Sequence, residues 1–99
     1  MSVETKTWDA ATFLKTPEDI AAYLNAAFET GEASLIAAAL GDVSRSEGMT
    51  AVASRAGVTR EALYKSLSEN GDPKLSTLLG VVHALNLRLE IAQSTKTAA

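Results

Sequence analysis

Residues 51–67 read AVASRAGVTREALYKSL, and the fold turns on how they are spaced. Ala53 is small where two helices would cross, Gly57 stands where a tight turn needs positive φ, Val58 plugs that turn into a core, and Leu63 anchors the following helix from beneath. Val52, Ala56 and Leu67 complete one buried side. Thr50 is placed to cap a helix over 51–56, and Thr59 to cap another from Arg60 to about Ser68. This is the pattern of a helix-turn-helix. Thr59, Arg60, Glu61, Tyr64 and Lys65 then project outward from the second helix, where this motif reaches base edges. Arg60 has the fork that binds guanine O6 and N7, Glu61 accepts from a cytosine amino group, and Tyr64 suits a thymine methyl or a phosphate. Thr50, Ser54, Ser68 and Lys74 suit phosphate contacts, with Lys65 able to join them. The competing account is a tight helical hairpin whose charges only keep it in solution.

Working outward, Thr16, Pro17 and Asp19 supply an N-cap, a first-turn proline and an acid three residues after the cap. A helix follows on Ile20, Tyr23, Leu24, Ala27 and Phe28 and ends at Gly31. Ile36, Ala39, Leu40 and Val43 mark a second helix, from about Glu32 to Arg45, closed by Gly48. Gly41 inside it costs about 1 kcal/mol relative to alanine, so it implies either close helix contact or a bend. After a turn at Asn70, Gly71, Asp72 and Pro73, a last helix carries Leu75, Leu78, Leu79, Val82 and Leu85 and ends at Asn86, which tolerates the left-handed cap. Leu87, Leu89 and Ile91 alternate with Arg88 and Glu90, the period of a strand. That segment either pairs with its counterpart in a second copy, making these three residues a dimer contact, or lies extended on the core. The expectation is an all-α chain of five helices with a short C-terminal β-strand: an N-terminal arm over 1–15, one domain over 16–92 and a disordered tail over 93–99.

Ninety-nine residues, 46% of them hydrophobic, make one domain, and the abundance of alanine favours helices. The absence of cysteine rules out disulfides and thiolate metal sites and favours a cytoplasmic protein. Neither a signal sequence nor a membrane-spanning run is present, so no membrane partner is expected. A net charge of −3 argues against a generic polyanion binder, but the charge is unevenly divided. Residues 1–44 hold two lysines against seven carboxylates, whereas residues 45–99 hold seven cations against five. Halves of opposite sign point to two different partners, with ordinary solvated helix faces as the alternative.

The stretches WDAATFLKTPEDIAAYLNAAFETGE and ALGDVSRSEGMTAVASRAGVTREALYKSLSENGDPKLSTLLGVVHALNLRLEI together resemble the probable addiction-module antidote family, with Thr59 to Leu78 the most specific part. These are HigA/Xre-like helix-turn-helix antitoxins encoded beside small RelE-type toxins. The resemblance implies a reading head like that of phage repressors, repression of the antitoxin's own operon as a homodimer on double-stranded operator DNA, and neutralisation of a toxin. The acidic first half, with Trp8, Phe13 and Leu14 in the arm, and the first helix are the expected contact for a basic toxin, although Trp8 and Phe13 are nearly as well suited to fold back over the first two helices. Asn86 and Gly80 depart from the family pattern, where glycine and a larger residue are commoner.

A plain repressor without a toxin shares the same reading head, and a pure protein-interaction module would not need Arg60 and Lys65. An enzyme fits poorly. His83 is the one histidine, and no metal-ligand pair lies within helical reach of it. The acid pairs Glu18/Asp19 and Glu69/Asp72 suit a helix start and a turn. No catalytic residue, metal or cofactor is expected.

Overall fold

The structure is a computed structural model and describes residues 14–94. It is all-helical, with five helices among the described residues: α1 Pro17–Thr30, α2 Ala33–Glu47, α3 Met49–Ala56, α4 Arg60–Ser66 and α5 Leu75–Ala84. The start of α1 is a capping box. Thr16 Oγ1 accepts from the Asp19 N–H at 3.0 Å, and the Asp19 carboxylate accepts from the Thr16 N–H at 3.2 Å. Gly31 ends the helix in the left-handed conformation.

Packing is built on a small set of fully enclosed side chains. Leu40 and Val43 of α2, Val52 of α3, Leu63 of α4, Leu67 just after it and Val81 of α5 are all at most 2% exposed. Each such aliphatic group stabilises the fold by about 1.5–3 kcal/mol relative to an exposed position. Helix α1 lies against α2 through Ile20 and Leu24, while α3 sits between α2, α4 and α5. Alanine at 37, 39 and 53 and glycine at 41 keep these helices close.

Gly41 resolves the choice left by the sequence in favour of contact. A Cβ there would stand 2.5 Å from the Leu67 carbonyl oxygen, so the absent side chain is what seats the end of α4 on α2. Gly80 does the same between α5 and α3, where a Cβ would meet Ala56 at 3.1–3.2 Å. The departure from the family pattern at position 80 thus has a packing reason in this chain.

Three expectations are corrected. Thr50 does not cap the third helix, because Met49, 5% exposed, is drawn into the core and the helix begins there with Gly48 as N-cap. At φ 110° and ψ 104°, Gly48 links α2 to α3 as a single residue, a conformation that side chains oppose. Leu14, expected in an exposed arm, is a core residue at 4% exposure, whereas Trp8 and Phe13 lie outside the described residues. No strand occurs among the described residues. Residues 87–94 carry no regular structure in the single chain, since an alternating pattern becomes a strand only beside a neighbour that takes its backbone groups.

Asn86 does cap α5. At φ 63° it is the one non-glycine residue with positive φ among those described, and it arranges two reverse hydrogen bonds: Asn86 N–H to the His83 carbonyl and Leu87 N–H to the Val82 carbonyl, both at 3.0 Å. Leu87 is thereby turned onto the core, where it is half-buried.

Candidate nucleic-acid interface

The same capping chemistry shapes the turn between α3 and α4. Gly57, at φ 77° and ψ 27°, donates its N–H to the Ser54 carbonyl at 3.2 Å, while the Val58 N–H returns to the Ala53 carbonyl at 3.0 Å. This Schellman pattern satisfies carbonyls that the helix end would otherwise leave open. Val58 packs partly buried against the core, and Thr59 follows with φ −78° and ψ 157°, its hydroxyl accepting from the Ala62 N–H at 3.0 Å. Three residues therefore join two short helices: Gly57 breaks the first, Val58 plugs the turn into the core and Thr59 caps the second.

Helix α4 is fixed from one side only. Leu63 is fully enclosed and Leu67 is 2% exposed, whereas Thr59, Arg60, Glu61, Tyr64 and Lys65 are all exposed. The five residues expected to face outward form one outer surface around the first turns of α4. Arg60 lies over the Tyr64 ring at 5.5 Å from its centroid, a cation stacked on an aromatic face one helical turn ahead. The Tyr64 phenol, by hydrogen bonding before any effect of charge, raises the Arg60 guanidinium above its ordinary value.

Of the residues expected at phosphates, Thr50 and Ser54 are exposed on α3, and Lys74 is exposed immediately before α5. Ser68 lies beyond the other end of α4 and donates its hydroxyl to the Lys65 carbonyl at 3.1 Å, so that proton is engaged within the chain. Thr50, Ser54 and Lys74 are thus open to solvent, whereas the Ser68 hydroxyl already has a partner.

Two cations of the basic half have internal roles that spacing did not reveal. Arg55 reaches across from α3 to the Ala84 carbonyl at 3.1 Å and sets a positive charge at the C-terminal end of α5, where the helix dipole favours it. Arg45 pairs with Asp42 at 2.6 Å, and the other oxygen of Asp42 accepts from the Tyr23 hydroxyl at 2.7 Å. Burial, followed by this hydrogen bond, pushes the Tyr23 phenol well above its ordinary range. The chain Tyr23, Asp42, Arg45 ties α1 to α2. A signal for it existed in the sequence, an acid and a base three apart on α2, but the aromatic partner nineteen residues upstream is visible only after folding.

His83 is exposed in the last turn of α5. Among the described residues, no group of three His, Asp or Glu side chains could hold a metal ion, and no helix is long and apolar enough to cross a membrane.

No solved structure matches the chain. A protein of Haemophilus influenzae, described as uncharacterized, is 40% identical over 94 residues, covering 95% of this chain and 97% of that one. The family model for "probable addiction module antidote protein" matches residues 4–93, which span the five described helices and the whole outer surface of α4. On that match, the chain belongs to the family of probable addiction module antidote proteins.

Proposed function

We propose that the protein is the antitoxin of a toxin–antitoxin module that reads its own operator DNA through α4 and neutralises a RelE-type toxin. The observation that carries the DNA half is one-sided anchoring. A seven-residue helix held by Leu63 and Leu67, and introduced by a Gly57–Val58–Thr59 turn, presents Thr59, Arg60, Glu61, Tyr64 and Lys65 to solvent. In phage-repressor-like helix-turn-helix domains, the second helix occupies the major groove in this way. Arg60 supplies the guanine fork, Glu61 selects for cytosine and Tyr64 supports the Arg60 stack, while Lys65, Lys74, Thr50 and Ser54 hold the backbone. One reading helix per chain calls for two copies on a palindrome with half-sites about 34 Å apart.

The toxin half rests on family membership and on the acidic first half of the chain. A toxin that acts on RNA has a basic surface, which an acidic partner occupies in place of substrate. Trp8 and Phe13 remain candidates for that contact, whereas Leu14 belongs to the core.

A mobility-shift titration on the promoter upstream of the gene, with and without the co-expressed neighbouring gene product, tests both halves. Arg60→Ala should lower operator affinity roughly ten- to hundredfold and relax preference at one base position. Lys65→Ala should weaken every sequence alike and reduce the salt slope by about one. Equal operator binding by wild type and the double variant removes α4 from the interface. Failure of the neighbouring product to co-purify leaves a helix-turn-helix repressor without a toxin.

A further inference from the structure

The segment after α5 carries a symmetry that the single chain does not use. Residues 87–91 read Leu-Arg-Leu-Glu-Ile, apolar at every odd position with one cation and one anion between. Leu87 is anchored by its bond to Val82, but exposure rises along the chain to 40% at Leu89 and 95% at Ile91. These residues border a groove with Leu24 and Phe28 of α1 and Val82 of α5. Arg88 and Glu90 also border this groove, their charged ends together at 4.0 Å and their side chains 78% and 73% exposed. Among the described residues, no backbone hydrogen bond engages residues 88–92.

Read backwards, the same five residues give apolar, anion, apolar, cation, apolar. We propose that Leu87–Ile91 is a self-association surface whose occupant is the same segment of a second copy, running antiparallel and centred on Leu89. In that register, Arg88 of each copy faces Glu90 of the other, Leu87 faces Ile91, and the two Leu89 side chains meet on the two-fold axis. The neighbouring antiparallel registers fail on charge. Moving the centre one residue towards the N-terminus sets Arg88 against Arg88, and moving it one residue the other way sets Glu90 against Glu90. A parallel in-register pairing does both, and like charges directly opposite destabilise a pair. The chosen register also covers Ile91, the most exposed large apolar side chain among the described residues, and continues the apolar stripe over the groove beside Phe28. Five paired residues bury less than the roughly 1,000 Å² of a stable interface, so the association is weak alone and strengthens when DNA holds two copies together.

The test needs no DNA, so its failure is distinct from failure of the α4 reading. The natural chain has no cysteine. In an antiparallel pair, opposed Cα atoms lie about 4.5–5.5 Å apart, within disulfide reach. Under mild oxidation, Leu89→Cys should give a covalent dimer. Arg88→Cys and Glu90→Cys should cross-link poorly alone and efficiently when mixed. In sedimentation at high concentration, Arg88→Glu should weaken self-association about tenfold, and the Arg88→Glu/Glu90→Arg exchange should restore it, with helical content unchanged throughout. A chain that sediments as a monomer at every concentration overturns the proposal. So does cross-linking of Arg88→Cys with itself as readily as with Glu90→Cys.

Discussion

Gly41→Ala is the substitution whose sign most sharply divides local from tertiary physics. Judged as a position in α2, alanine is better than glycine by about 1 kcal/mol, so propensity alone predicts a more stable protein. The structure predicts the reverse. The new methyl would sit 2.5 Å from the Leu67 carbonyl oxygen, far inside ordinary contact, and the obstructing atom is backbone, which has no rotamer to escape into. Overpacking of this kind costs about 1–3 kcal/mol, and a backbone obstruction belongs at the upper end of that range. Subtracting the propensity gain leaves a net loss of about 2 kcal/mol, equivalent to a fall in Tm of roughly 8–16 °C for a chain of this size. Since relief requires the residues around Leu67 to move away from α2, the end of α4 should shift as well. Operator affinity should therefore drop, although position 41 is buried beneath the domain. Thermal unfolding followed by circular dichroism, with a mobility shift at a temperature where both proteins are folded, reads both effects. A variant with raised Tm and unchanged DNA binding would refute the close contact and with it the account of how α4 is seated.

Leu63→Ala should cost about 2–5 kcal/mol in chemical denaturation, because the side chain is fully enclosed. Asn86→Ala should cost about 1–2 kcal/mol by placing an ordinary side chain at φ 63°, whereas Asn86→Gly should be near neutral. The raised Tyr23 phenol carries a pH signature. As pH climbs through the ordinary phenol value of about 10, the unfolded chain releases that proton while the folded chain keeps it, so stability falls with pH from there upward. Tyr23→Phe should flatten this part of the profile, as measured by denaturation between pH 8 and pH 11.

The elements most legible in the sequence are those governed by short-range chemistry. Thr16 with Asp19, Gly57 with Val58 and Thr59, and Asn86 are caps and turns whose partners lie within five residues, and each acts as its residue type implies. The outer face of α4 was legible for the same reason, since Leu63 and Leu67 fix which side of a short helix is inside. What was not legible depended on distant neighbours. The start of α3 moved to Met49 because the core had room for that side chain, overriding the better capping residue Thr50. The contact of Arg55 with the end of α5, twenty-nine residues away, leaves no mark in spacing, nor does the Tyr23 bond to Asp42. Leu87–Ile91 shows the limit from the other direction. Its alternation is plain, but periodicity states which side chains share a face and says nothing about whether a neighbouring backbone is there.

The boundary at Leu14 makes the partner question testable by truncation, because it separates two roles assigned to adjacent residues. Leu14 belongs to the core at 4% exposure, joined there by Ile20 and Leu24, and the Asp19 carboxylate accepts from the backbone of Lys15 and Thr16 just beyond it. Removing residues 1–13 retains all of these interactions, whereas removing residues 1–14 also deletes a buried leucine, at a cost of about 2–5 kcal/mol. If Trp8 and Phe13 anchor a toxin, the shorter deletion should keep helical content, Tm and operator affinity while toxin affinity falls at least a hundredfold, since aromatic anchors carry about 2 kcal/mol or more each in tight interfaces. If those aromatics instead cover α1 and α2, the shorter deletion should itself lower Tm, and operator binding should weaken in proportion to the fraction unfolded. The longer deletion should lower Tm under either account, which makes it the control for what loss of the core looks like. Toxin binding unchanged by the shorter deletion, measured calorimetrically against the co-expressed partner, would remove the first thirteen residues from the interface and leave the acidic exposed face of α1 as the surface to test.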